Sequence, residues 1–375
     1  MNENEKICQI ALTLLKGVGP VNAKNLISCF GSAENFFQCT KKDLAGFSGI
    51  HTKTLASLIN QFPSAYSTAE KEYQICKQKN ITPLFYTDLN YPQQLHECVD
   101  APLLLFTKGN INFNTGKFVS IVGTRQATSY GKEQCYQLVK DLAKSIPDLV
   151  IVSGLAYGID IAAHKAALEF NVPTIGVMAS GFYRIYPSVH TSTANEMLQQ
   201  GAVITEQFYK DDPLRPNFIK RNRIIAGLCE ALVVVESAAK GGALVTASIA
   251  GTYNKDVFVF PGRCNDSVSV GCNALIKHHK AALIENAADL IYTMGWDKNI
   301  PKRITKNESK LPSFFNELSP TDQSIVKCIY EEKSIHIDLL AEKVNIEVGN
   351  LLPLLLMLEF QNIVVCLPGN RYQLK

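Results

Sequence analysis

The sequence has no CxxC pair, no histidine spacing suited to a metal ion, no long uncharged apolar run and no standard nucleotide-binding loop. Each absence removes a class of protein. The 11 cysteines are scattered and odd in number, and several (Cys135, Cys229, Cys328) fall within apolar segments. That is the pattern of reduced, buried thiols rather than of disulfide staples or a zinc site. His278 and His279 are adjacent and cannot share one helix face, so no metal is expected, and no other cofactor. No window approaches the ~18 apolar residues of a membrane span. The opening MNENEKICQI lacks a basic head, an apolar centre and a small-residue cleavage site, which leads to the expectation of a cytosolic protein. Neither G-x-G-x-x-G nor G-x-x-x-x-G-K-[ST] follows the first apolar strand. Net charge is also scarce, at +3 over 375 residues, too little to name a partner.

The distribution of charge is more informative. Residues 1–65 carry 6 Lys/Arg and 4 Asp/Glu, residues 66–316 carry 26 and 22, and residues 317–375 carry 5 and 8. The regional nets are therefore +2, +4 and −3, so a polyanionic partner belongs to the first two regions. A hydrophobic content of 46% over 375 residues suits two or three globular domains.

The organisation expected is a helical domain over 1–65, a Rossmann-like domain over 66–298, a linker over 299–316 and a winged-helix-like domain over 317–375. In the first, LLKGVGPVNAKNLI (14–27) reads as helix, glycine turn and helix, and LAGFSGIHTKTLASLI (44–59) repeats the pattern more weakly. This resembles a pair of helix-hairpin-helix motifs, in which the second helix offers free amides to a phosphate. The same turn also serves simply to join two packed helices. In the second region FVSIVG, LVIVSG, TIGVMAS, AVITEQ, ALVVVES and DVFVFPG alternate with helical stretches. Short, wholly apolar strands separated by helices predict a doubly wound, mostly parallel α/β sheet covered on both faces. TPLFYTD and PLLLFTKG add two short strands upstream. The last region reads as three helices and a hairpin turning at Pro-Gly-Asn. Its third helix, about 348–361, has no Lys or Arg and carries Pro353, which is poor equipment for a major-groove reader.

Ligands of doubly wound sheets bind outside the carboxyl ends of the strands. Those ends carry Gly123-Thr124-Arg125, then SGLAYGID (153–160), Ser180-Gly181, Glu206, Glu236-Ser237 and Lys240-Gly241-Gly242. Small, hydroxylated and cationic loops of this kind let backbone amides approach a phosphate. FIKRNRIIAGL (218–228) places Lys220, Arg221, Asn222 and Arg223 beside Phe218 and an apolar run. On a regular helix these side chains diverge by about 100° per residue, so they converge on an anion only if the helix begins around 220–222. The competing reading is that Arg221 or Arg223 pairs with Glu206, Asp211 or Asp212.

SIVGTRQATSYG, IVSGLAYGIDIAAHKAAL, SGFYRIYP, NFIKRNRIIAGLCEALVVVESAAKGGALVTASIA and VFVFPGRCNDSVSVGCNALI resemble the DNA-processing protein A family, also called Smf or DprA, over roughly 81–295. The resemblance implies a cytosolic, homodimeric protein that binds single-stranded DNA during natural transformation, protects it and helps load the RecA recombinase. It implies a DNA pocket at Arg125, Ser180, Gly181, Lys220, Arg221, Asn222 and Arg223, with Phe218 placed to stack on a base. The family's usual SGSLIT is KGGALVT here (240–246), so contacts at Lys240 depart from the pattern. The alternative is a nucleotide-processing enzyme of the phosphoribohydrolase type, whose P-G-G-x-G-T-x-x-E loop KGGALVTASI matches only in part. Asp160, His164, Glu206 and Glu236 are its conceivable acids and bases. Their plainer roles are a helix cap for Asp160, packing for His164 and arginine partners for the glutamates, so no enzyme activity is expected.

Overall fold

The chain starts with helices whose ends are set by its own caps. Asn2 accepts a hydrogen bond from the Asn4 amide and opens α1 (Glu3–Leu14). α2 (Pro20–Phe30) follows a glycine turn, with Gly19 as its cap and proline in its first turn. Ser32 caps α3 (Ala33–Gln38). α4 (Phe62–Lys79) closes on Asn80 in the left-handed conformation. The computed structural model describes residues 2–40, 42–43, 57–296, 318–332, 335–361, 363–367 and 371–374. Most of the second hairpin motif, the linker and the Pro-Gly-Asn turn lie outside the described residues.

β1 (Thr82–Phe85), α5 (Gln93–His96) and β2 (Leu104–Gly109) lead into the alternating core. There β3 (Lys117–Val122), α6 (Ser129–Ser145), β4 (Leu149–Ser153), α7 (Ile159–Glu169) and β5 (Thr174–Val177) come first. α8 (Thr191–Gln200), β6 (Ala202–Thr205), α9 (Arg215–Leu228), β7 (Ala231–Val234) and α10 (Gly242–Thr252) follow. β8 (Asp256–Val259), α11 (Val270–Lys277), β9 (Ala282–Leu283) and α12 (Ala287–Thr293) complete this part.

The strands form one nine-stranded sheet in the order β1-β2-β6-β5-β4-β3-β7-β8-β9. From β6 to β9 every pairing is parallel. β2 runs antiparallel to β6, and β1 antiparallel to β2. The six apolar runs are thus β3 to β8. Because side chains alternate along a strand, one run feeds two cores. Phe118 and Val122 pack with Ile224, Ile225 and Ala247 of α9 and α10 on one face. Val119 and Ile121 pack with Leu138, Leu142 and Ala163 of α6 and α7 on the other. β1 and β2 share a third core with α1 and α4 through Phe85, Leu104 and Phe106.

Sequential strands build outward from β3 in both directions, so the crossovers reverse between β3 and β7. This is the switch point at which doubly wound sheets hold their ligands. The chain divides into two compact units, Met1–Trp296 and Asp297–Lys375. The second contains α13 (Pro320–Glu332), β10 (Ile335–His336), α14 (Ile337–Val344), α15 (Val348–Phe360), β11 (Val364–Leu367) and β12 (Arg371–Leu374). Its strands form a three-stranded sheet in the order β10-β12-β11, a winged-helix arrangement with one strand, β10, more than the sequence suggested. None of the 11 cysteines, all among the described residues, is in a disulfide, and six of them (8, 76, 98, 135, 229 and 272) are buried.

Candidate functional site

A groove of about 680 Å³ opens at the switch point. Gly123, Thr124 and Arg125 line it from the end of β3, Ser237, Ala238, Lys240 and Gly241 from the loop after β7, and Arg215, Phe218, Arg221 and Asn222 from α9. Two helices begin there without a side-chain cap: α9 after Leu214 and α10 after Gly241. The first amides of α10 and the positive ends of both dipoles therefore face the groove; in α9, Pro216 has no amide hydrogen and the Asn217 amide donates to the Leu214 carbonyl at 2.9 Å. The start of α6 is already taken, because the Glu236 carboxylate accepts the Thr128 amide at 2.9 Å and its hydroxyl at 2.5 Å.

Arg125, Arg215 and Lys240 are exposed at the groove. Among the described residues none of the three has a carboxylate within 4.0 Å. Phe218 is half-buried between them, with the Arg125 guanidinium 5.4 Å and the Arg221 guanidinium 6.0 Å from its ring centre. Tyr186 meets the same ring edge-on at 5.7 Å. The groove thus offers cations, free amides and an aromatic face.

α9 begins at Arg215 and not around Lys220, which corrects the expected geometry of FIKRNRIIAGL. The four polar residues lie in mid-helix and diverge. Arg221 turns inward and is buried; its Nη1 donates to the Val177 carbonyl at 3.2 Å and lies 4.0 Å from Asp160 Oδ2. Gly154 is needed for this, because a Cβ there would stand 1.4 Å from Arg221 Nη1. Asn222 is buried and donates to the Gly242 carbonyl at 3.4 Å, tying α9 to the start of α10. Arg223 turns to the other side of the helix, where it binds the Glu206 carboxylate and the Asp100 carbonyl. Lys220 is exposed beside Arg223 in a separate depression of about 620 Å³. Of the cluster, Phe218, Arg221 and Asn222 join Arg125 and Lys240 at the groove, while Lys220 and Arg223 do not.

Ser180 and Gly181 do not line the groove either. Ser180 is buried and donates to the Arg184 carbonyl at 3.0 Å. A Cβ on Gly181 would lie 2.0 Å from the Phe208 carbonyl, so glycine is set there by chain packing. Arg215 is the groove residue that the sequence reading missed. The signal for it was Pro216, which falls in the first turn of α9, a position that favours proline.

The candidate acids and bases are engaged in structure. His164 is buried, with Nδ1 2.7 Å from Thr174 Oγ1, and burial pushes its pKa down to about 3. Asp160 does not cap α7, whose cap is Gly158; it accepts the Ala156 amide at 3.4 Å. Burial raises its carboxyl above the ordinary value, against the pull of Arg221. Glu206 holds Arg223, and Glu236 holds the start of α6 rather than an arginine. Asp160 is the one carboxylate among the described residues lining the groove, and it is buried.

A family model described as DNA recombination-mediator protein A matches residues 82–295. Protein Smf of Synechocystis is 31% identical over 402 aligned residues that cover 100% of both chains. The crystal structure of DNA processing protein A from Streptococcus pneumoniae aligns with a TM-score of 0.66 at 30% identity, over 78% of this chain and 98% of that one. A structure of DNA processing protein A from Helicobacter pylori, described as showing a single-stranded DNA binding mode, aligns with a TM-score of 0.52 at 31% identity, over 58% of this chain and 96% of that one.

Proposed function

Because this chain belongs to the DNA-processing protein A (Smf/DprA) family, we propose that it binds single-stranded DNA in the switch-point groove, protects it and helps load a RecA recombinase during transformation. The observation that carries the reading is the trio of exposed, carboxylate-free cations, Arg125, Arg215 and Lys240, around two uncapped helix starts. Lysine, arginine and amide donors hold phosphates without reading sequence. Phe218 offers a stacking face to any base, worth ~1–3 kcal/mol. A buried Asp160 and structurally engaged His164 and Glu236 favour binding over phosphoribohydrolase chemistry.

The proposal includes a homodimer, a cytosolic setting and a working division at 1–65, 66–298, 299–316 and 317–375. No helix among the described residues is long and apolar enough to cross a membrane. Fluorescence anisotropy with single-stranded and duplex oligonucleotides tests the central reading: tight single-strand binding supports it, and equal or stronger duplex binding overturns it. Nuclease digestion of the bound strand, RecA filament assembly with and without the protein, sedimentation and limited proteolysis test the finer parts. Release of free base from nucleoside monophosphates by the pure protein would establish the enzymatic alternative.

A further inference from the structure

The loop between Gly181 and His190 contributes to two cavities. Tyr186 lines the groove, whereas Tyr183, Arg184 and Ser188 line a second cleft of about 370 Å³. That volume falls within the ~300–1,000 Å³ range of small-ligand sites. Lys108 enters the cleft from the end of β2, and Thr191 and Asn195 from the first turns of α8. Ile185, Leu198 and Val203 supply apolar surface.

The chemistry of this cleft is one-sided. It has two cations, the Ser188 hydroxyl and the Asn195 amide, and no carboxylate among its lining residues; the Thr191 hydroxyl already donates to the Ser188 carbonyl at 2.6 Å. Neither Lys108 nor Arg184 has a carboxylate within 4.0 Å among the described residues. The neighbouring Asp212 is engaged by the Tyr183 hydroxyl at 2.6 Å and does not line the cleft. The two cations come from a strand end and a loop far apart in sequence, so a local charge run does not explain their meeting. Half-buried Lys108 and the absence of a counter-charge make the cleft a ready acceptor for an anion with an apolar part.

We infer that this cleft is a second nucleotide subsite, in which Lys108 and Arg184 each hold a further phosphodiester of the same single strand after it passes Tyr186. The inference rests on the reading of the groove as the single-strand site. It makes the binding track bipartite, with Arg125, Arg215 and Lys240 at one end and Lys108 and Arg184 at the other. Asn195 is the sole side-chain amide in the cleft, so the second subsite is also largely blind to base sequence.

The test compares wild type with Lys108→Ala/Arg184→Ala on thymidine oligonucleotides of ~4 to ~16 residues, a range that brackets single-strand site sizes. The expected result is unchanged affinity for the shortest oligonucleotide that binds and a loss for the longer ones. For those the log–log salt slope should flatten by about 1.4, at ~0.7 per phosphate. The deficit should then be about sevenfold larger at roughly 50 mM than at roughly 200 mM salt. A loss equal at all lengths, or none at any length, overturns the second subsite. So does a variant that loses binding of a thymidine mononucleotide while the length series stays intact, since the cleft is then a separate mononucleotide site. If the double variant misfolds, Arg184→Ala alone, at an exposed position, carries the same comparison with half the slope change. The underlying reading fails by a different sign: Arg125→Ala/Lys240→Ala would then leave the shortest oligonucleotide's affinity intact.

Discussion

Two helices stand where a nucleic-acid reader would present one, α9 in the first unit and α15 in the second, and they expose opposite chemistry. α9 shows Arg215 and Lys220 to solvent and turns Arg221, Asn222 and the apolar run Ile224–Leu228 inward. α15 shows Leu352, Leu356, Met357 and Phe360, the last 77% exposed, and carries no cation. The difference teaches that charge in a sequence is not yet charge at a surface. FIKRNR is the densest cationic stretch of α9, yet two of its three cations, Arg221 and Arg223, are engaged by the protein itself. The groove is instead served by single cations from three elements that are far apart in sequence.

The sharpest way to break this contrast is Arg221→Ala. It leaves the Asp160 carboxylate buried without its cation, and breaking a buried pair by removing one partner costs ~3–5 kcal/mol. Denaturant unfolding should show that loss, and Arg221→Lys should restore only part of it, since lysine lacks the second guanidinium arm. Unchanged stability with weakened DNA binding would make Arg221 a ligand for phosphate and not a structural group.

Next in size is the groove itself. Replacing Arg125, Arg215 and Lys240 together by alanine removes three charge-assisted contacts, each worth at least ~1 kcal/mol, so single-strand affinity should fall at least about a hundredfold. The salt slope should flatten by about two units. Stability should move by less than ~0.5 kcal/mol, because the three side chains are exposed. A full-strength salt slope in this variant would place the anion site elsewhere.

The two units also differ in what they bury, which gives a pH test. The first holds His164, Asp160 and Arg221 in its interior; the described residues of the second include no buried charged side chain and no buried histidine. Burial holds His164 neutral down to about 3. Below ~6.5 the unfolded chain takes up a proton that the folded chain refuses, so stability falls as pH falls through that window. From pH ~6.5 to ~5 the loss is roughly 2 kcal/mol. The raised carboxyl of Asp160 acts in the opposite sense, so the His164 contribution is read as the difference between wild type and His164→Gln. The variant should show a shallower dependence in the first unit, and the second should show none of this dependence. An unchanged slope in the variant would mean that His164 is not held neutral.

Much of the sheet was legible because its signal is local. Six apolar runs are six buried strands, and nothing but a parallel sheet covered on both faces suits such runs. The antiparallel sense of β1 and β2 was not legible, since TPLF and LLFTKG carry no mark of direction. In the site, Arg125 and Lys240 could be placed because they directly follow strands. The inward turn of Arg221 could not, because it depends on a helix start at Arg215 and on the missing Cβ of Gly154, which comes from a different loop. Ser180 and Gly181 were placed by a similar argument from strand ends, but the Arg184 carbonyl takes the Ser180 hydroxyl and chain packing at the Phe208 carbonyl claims Gly181.

The smallest expected effect closes the contrast between the two helices. A chain ending at Trp296 retains the whole first compact unit, including every groove residue. It loses the region whose net charge is −3 and whose α15 offers leucine, methionine and phenylalanine where a DNA reader offers cations. Its single-strand affinity should match that of the full chain to within about twofold, with at most a slight gain at low salt from removal of the negative charge. The salt slope should not change, since no phosphate contact is lost. Leu356→Ser/Phe360→Ser in the full chain should be equally silent for DNA. A large drop in affinity on truncation, with the fold and oligomeric state of the remainder intact, would show that the acidic unit takes part in binding through its apolar face. Exposed leucines would then have to be counted with the cations in the binding surface.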